Sequence, residues 1–279
     1  WGCRSLGAGP LWALTRAGEN ALGETCFPHI VGGILISGQE YRGEVCLPEG
    51  IRSIAPYAFA ANQDITGIRL PAGLSHIGEG AFWGCENLEY VSFFHDSPDG
   101  QENFCFSMAS SDPCRVDHRA FEKCISLREI HIHGDYVGSR VFSFCVSLKK
   151  AVLTGLPVLG QRLFEGCRSL EACVCPQAAD IEEHCFRGCE NLCFFDFTGI
   201  RRVGSGGFQN CDKLTKLELE DGVLIMPRAF EDCGRLEEIR LTGPGGILRV
   251  GEYGFSGCTA LRKVVLKGRE WRLGTYGVV

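Results

Sequence analysis

The strongest constraint on this chain is a residue triplet that returns nine times. A phenylalanine is followed three residues later by cysteine and three beyond that by leucine. The phenylalanines are Phe59, Phe82, Phe121, Phe142, Phe164, Phe186, Phe208, Phe230 and Phe255, with Asn62 in the cysteine slot and Ile65 in the leucine slot of the first triplet. Successive phenylalanines lie 23, 39, 21, 22, 22, 22, 22 and 25 residues apart. A recurrence this regular predicts a stack of similar coils, each unable to bury its apolar side chains alone.

Two more columns keep the same register. Downstream, the pattern L-x-x-I-x-L alternates with period 2, as in Ile130/Ile132, Leu217/Leu219 and Val264/Leu266, and predicts a short half-buried strand in each coil. Upstream, Ile54, Ile77, Val116, Val137, Leu159, Ile181, Val203, Ile225 and Val250 each precede the phenylalanine by five residues and predict a second apolar wall. Small residues such as Ala58, Ala81, Ala120, Gly207, Ala229 and Gly254 stand directly before it. The stretch from there to the cysteine is too short for a long helix, and a helical turn is the expected connection.

This pattern, I-x-x-x-[AG]-F-x-x-C-x-x-L-x-x-I-x-L with the strand-ending pairs Leu47-Pro48 and Leu70-Pro71, resembles the BspA-like (treponemal-type) leucine-rich repeats. The resemblance implies an α/β right-handed solenoid of about nine repeats, with a parallel β-sheet on its concave face. It implies little chemistry, because fold does not fix function. Members of that family include bacterial surface proteins that bind host matrix or other cells.

Eight of the 17 cysteines, from Cys85 to Cys258, occupy one repeat position. Equivalent positions in neighbouring coils cannot all pair, and Asn62 fills the same slot. The column therefore reads as small buried groups that hydrogen-bond turn backbone. A reducing compartment suits such thiols. Cytoplasmic residence is favoured, with the cell surface open to a longer chain. Cys105 and Cys114 are the one plausible disulfide, although two free thiols suit that compartment better.

The net charge is -6 and no Lys/Arg cluster breaks the balance, so binding nucleic acid through its phosphates is not expected. No apolar run approaches the roughly 20 residues that span a bilayer, so no membrane insertion is expected. The first ten residues lack the basic start and apolar core of a secretory signal.

Three regions frame the organisation: an N-terminal cap segment at 1–44, the solenoid at 45–267, and a short tail at 268–279. The 39-residue interval holds an insertion at about 94–115, rich in Ser, Asp, Pro and Gly. Insertions in solenoids project from one face and often bind, although a tolerated surface loop is an equal reading. Few residues remain to cover the last coil (Trp271, Leu273, Tyr276), which leaves a sheet end open to end-to-end self-association.

If alternate strand residues face the core, the others line the concave face. Aromatic and apolar positions come first: Tyr90, Phe94, Val152, Val174 and Phe194. Charged and polar ones join them: Glu129, His131, His133, Asp196 and Arg240. For Glu218–Arg240 and Lys216–Glu238–Lys263, cross-strand pairing that stabilises the sheet is the plainer reading, while exposed aromatics among polar groups suit a protein or peptide partner. Glu129, His131 and His133 alternate along one strand as a weak zinc candidate, with His95 and Asp96 nearby. No phosphate-loop, zincin or nucleophile-elbow motif occurs. The expectation is a non-enzymatic protein- or peptide-binding scaffold without cofactors. The alternatives are an intracellular interaction module, a fragment of a larger multidomain protein and, less favoured, a metal-dependent enzyme or zinc-binding protein.

Overall fold

A computed structural model of the protein describes residues 29–93, 114–243, 249–266 and 269–272. Period-2 alternation places strands where the pattern requires them, in two columns that run along the stack. The long strands are β1 Gly43–Cys46, β2 Ile65–Leu70, β3 Tyr90–Phe93, β4 Glu129–His133, β5 Lys150–Thr154, β6 Ala172–Val174, β7 Phe194–Phe195, β8 Lys216–Leu219, β9 Glu238–Leu241, β10 Lys263–Leu266 and β11 Arg269–Arg272. From β1 to β10 neighbours within a sheet pair in parallel. The second column consists mostly of two-residue strands from Ser53–Ile54 to Arg249–Val250, also paired in parallel. Together they form a β-solenoid of about nine turns.

No helix occurs among the described residues, so the helical turn expected around each phenylalanine is not formed. The segment is a run of tight turns instead. Amides bond three residues back, as Cys85 N to Phe82 O and Leu88 N to Cys85 O, or sideways into the next coil, as Phe82 N to Ala120 O. The physical reason lies two residues either side of the phenylalanine. Arg119 and Lys123, or Arg140 and Phe144, have φ between 57° and 64°, a left-handed conformation that a right-handed helix cannot contain.

The phenylalanines stack down the axis. Ring centroids from Phe59 to Phe255 are 4.8 to 5.6 Å apart and neighbouring rings lie within 15° of parallel. The long interval does not interrupt the stack: Phe82 and Phe121 are 4.9 Å apart. At the first coil, Tyr41 lies 5.6 Å from Phe59, and Ile34–Ser37 pairs with Ser53–Ile54.

Each ladder cysteine is a buried free thiol whose Sγ reaches back 3.0 to 3.2 Å to the carbonyl oxygen of the preceding coil's phenylalanine. Asn62 does the equivalent work in the first coil. Its Nδ2 donates to Gly38 O and Tyr41 O, and its Oδ1 accepts from Asp64 N. Cys114 is a buried free thiol, whereas Cys105 lies outside the described residues. Cys185 and Cys189 point inward while Cys193 is exposed, so the three do not share a face.

The last coil departs from the expected pattern. Val250 is 45% exposed rather than part of the buried wall. Val265 stands opposite Arg240 in register, on the outer face, yet is 7% exposed. The backbone of β11 runs antiparallel beside it, so the long-strand column does not end in an open edge at β10.

The long-strand column is also interrupted twice. One break lies between β3 and β4, where residues 94–113 intervene outside the described residues. The other lies between β7 and β8. Other coils bond amide to carbonyl here, as Cys193 N to Glu171 O and Glu237 N to Thr215 O. The β7 coil carries Phe195 and Phe197 at the inward positions, where most coils carry aliphatic residues. Their rings lie 4.7 Å apart and reach Phe208 at 5.1 and 5.2 Å, and their bulk accounts for the opening.

Candidate binding surface

Strand register assembles the outer face of the long column into rows. One row runs Glu44, Gly67, Tyr90 across β1 to β3 and resumes as Glu129, Lys150, Ala172, Phe194 across β4 to β7. The next runs Arg69, Ser92, then His131, Val152, Val174. The expected face residues Tyr90, Glu129, His131, His133, Val152, Val174 and Phe194 therefore share one surface. Phe94, His95 and Asp96 lie outside the described residues.

Its middle is apolar. Val174 is 43% and Phe194 62% exposed, with Val152 and Ala172 half-buried beside them. Towards the C-terminus charge takes over and is paired within the face, although Arg240 Nε is enclosed without a hydrogen-bond partner. Arg240 Nη2 lies 2.9 Å from Glu238 and its Nε 3.9 Å from Glu218, Lys263 lies 3.9 Å from Glu238, and Lys216 pairs within its own strand with Glu218 rather than with Glu238. Asp196 caps the turn after β7 by accepting from Thr198 N at 2.9 Å, and the Thr198 hydroxyl and amide hold its carboxyl below the usual range.

Glu129, His131 and His133 face the same way along β4 but do not converge. His133 Nδ1 is bound to Thr154 Oγ1 at 3.0 Å, and His131 Nε2 is enclosed without a hydrogen-bond partner. Burial and then Lys150 push the His131 pKa down, against a smaller opposing pull from Glu129. No group of three such side chains is placed to hold a metal ion among the described residues.

At the break between β3 and β4 a cleft of about 420 Å³ opens, lined by residues that include Tyr90, Ser92, Arg128, Glu129 and His131. Glu89 and Arg128 form an ion pair of 2.9 Å on its wall. The Tyr90 ring lies across Gly67, where a Cβ would stand 2.1 Å from its Cζ. Burial first, and then the Glu44 carboxylate that its hydroxyl meets, push the Tyr90 pKa up to about 12.

Two constellations escape a linear reading. On the short-strand column Ser53 Oγ meets His76 Nδ1 at 3.0 Å, and His76 Nε2 meets Asp117 Oδ2 at 2.8 Å. Arg115 Nε donates to the other Asp117 oxygen at 2.9 Å and its guanidinium lies 4.1 Å over the Tyr136 ring. Burial raises the Asp117 pKa, but the His76 and Arg115 bonds outweigh it and leave it lowered. The Ser53 amide donates to Gly33 O, so it offers no donor to a developing oxyanion. At the turns, nearly buried Glu122 lies between Arg119 and Arg140, and Glu165 between Arg162 and Arg187.

The profile of the BspA type leucine rich repeat region matches at residues 42–112, 109–201 and 158–276. The chain belongs to this family. It is similar to a leucine-rich repeat protein from Bacteroides ovatus, with 23% identity and a TM-score of 0.56 over 80% of this chain and 63% of the other. The chain thus spans less than two thirds of that protein. A leucine rich cell surface protein from Faecalibacterium prausnitzii matches at 18% identity and TM-score 0.35, over 80% of this chain and 87% of the other. The T. pallidum leucine rich repeat protein matches at 23% and 0.33, over 82% of both chains. No curated protein matches the chain.

Proposed function

We propose that this repeat protein is a non-enzymatic scaffold that holds an extended peptide or protein segment across the long-strand face. On this reading that face is the concave side of a right-handed coil, residues 1–44 cap the stack and the 94–115 insertion assists binding. The observation that carries the reading is the exposed pair Val174 and Phe194 at the centre of a face whose charged end forms ion pairs within itself. Apolar centre and polar rim are the anatomy of a protein-binding patch. An aromatic anchor that is desolvated on binding supplies a large share of affinity. Free, buried ladder thiols favour work in a reducing compartment.

The test is selection of random displayed peptides on the immobilised chain, followed by titration of the recovered peptides. Val174→Asp and Phe194→Ala should each weaken binding by about 2 kcal/mol or more. Peptides that bind both variants as tightly as the wild type would show that Val174 and Phe194 do not anchor the partner.

A further inference from the structure

We propose that Cys233 and Cys258 form an oxidative modification site, at which hydrogen peroxide converts two neighbouring ladder thiols into a disulfide that fastens the last coil to the stack. The site makes no use of the long-strand face.

The two cysteines hold the same repeat position in consecutive coils, and those coils are in register. Phe230 and Phe255 stack at 5.3 Å, and Glu238, Ile239 and Arg240 pair with Lys263, Val264 and Val265. Coils paired in parallel stand about 4.8 Å apart, inside the roughly 4.4 to 6.8 Å between Cα atoms that a disulfide spans. Other neighbours in the ladder meet that condition too, so spacing alone does not select this pair.

Contact between the sulfurs selects it. From Cys124 to Cys211 the ladder thiols bond to backbone of the preceding coil. Cys233 and Cys258 do the same and also bond to each other. The Cys233 thiol and amide both donate to the Cys258 sulfur, which lowers the Cys258 pKa against the opposing effect of burial. Cys258 is also 6% exposed, where the ladder thiols from Cys85 to Cys233 are fully buried. A sulfur that ionises more readily, reaches solvent at its edge and touches a second thiol meets the needs of an attacking cysteine and its resolving partner. Cys173 and Cys175 also bond to one another. Two steps along one strand set their Cα atoms about 6.6 Å apart, near the limit of disulfide geometry.

Peroxide is the one co-reactant the chemistry needs. The Cys258 thiolate attacks a peroxide oxygen, the O–O bond breaks, and the departing hydroxide takes up the proton that Cys258 released. The Cys233 sulfur then attacks the Cys258 sulfenic acid. The S–S bond forms, the S–O bond breaks, and the hydroxyl leaves with the Cys233 proton as a second water. Two thiols lose two electrons and one peroxide gains them. The closed loop contains β9 and the short strand Arg249–Val250, so the bond ties the final coil covalently.

The experiment treats the reduced full chain with about one equivalent of hydrogen peroxide, blocks the remaining thiols after unfolding and maps tryptic peptides by mass spectrometry. Trypsin leaves Cys233 in residues 229–235 and Cys258 in residues 250–262, each without a second cysteine. A linked pair of these peptides, short of two hydrogens and cleaved by dithiothreitol, is expected in at least about tenfold excess over a link between any other ladder cysteines. Dimedone added with the peroxide should label Cys258 in Cys233→Ser, whereas Cys258→Ser should give neither the link nor a label at Cys233. The wild-type map reads the link without either variant, should one fail to fold. Absence of the link while other thiols are oxidised, comparable linking of Cys211 with Cys233, or dimedone on Cys233 in Cys258→Ser would overturn the assignment.

Discussion

The thiol of Cys211 donates to the carbonyl oxygen of Phe186 in the preceding coil, at 3.2 Å. That oxygen also accepts the Cys189 amide at 3.1 Å, so both of its lone pairs are used. The repeat cysteine is therefore a rivet between coils, and its sulfur is committed. Cys211→Ala removes one bond and leaves a small void. It should destabilise the protein by about 1 to 2 kcal/mol, read as a lower midpoint of thermal unfolding. An unchanged midpoint would reduce the thiol to a space-filler.

Burial raises the pKa of the ladder thiols from Cys85 to Cys211, to about 12 at Cys85 and beyond the usual range at Cys167 and Cys189. At Cys258 the hydrogen bond with Cys233 outweighs burial and lowers it, and Cys193 is exposed. Alkylation of the native protein near pH 8, followed by peptide mass spectrometry, should modify Cys193 early and the ladder thiols from Cys85 to Cys211 only after unfolding. Equal labelling rates would contradict the buried column.

Ala61 holds φ at 57° with its side chain exposed. Glycine adopts that conformation without the Cβ penalty, so Ala61→Gly should stabilise by up to about 1 kcal/mol, where the same change in an ordinary strand would destabilise. Thermal melts of the two proteins give the sign.

The pKa of Asp117 is lowered on folding, so its contribution to stability is present above the unfolded carboxyl value of about 4 and is lost as pH falls through the folded one. Asp117→Asn should lower the unfolding midpoint near pH 7, and the gap from wild type should close as the solution is acidified below about pH 4. A constant gap would mean that the ion pairs with His76 and Arg115 contribute nothing measurable.

Ser53, His76 and Asp117 have the spacing of a nucleophile, base and orienter, but their bonds tie neighbouring short strands together. A fluorophosphonate probe should leave Ser53 unmodified, and loss of labelling in Ser53→Ala would reverse that assignment.

The stack was legible because its determinants recur: phenylalanine, thiol and strand residues keep one register, and repetition makes each readable against the next. The turn was misread because a helical turn and a chain of left-handed turns need the same few residues. Arginine at 119 or 140 gives no warning of positive φ, since the penalty is met by bonds to the next coil rather than by residue type. The break after β7 needed volumes, as Phe195 and Phe197 look like ordinary strand residues. The β3–β4 cleft was hidden for a different reason. Glu44, Tyr90 and Glu129 are far apart in sequence, and only register brings them to one surface.

On the proposed function, partners lie across the long strands. A photo-crosslinking residue placed at Val174, or at the exposed Val158 of the short-strand column, tests it directly with a peptide recovered by display. A covalent adduct is expected from position 174 and none from position 158. An adduct from 158 alone would place binding on the short-strand column and contradict a partner on the long strands.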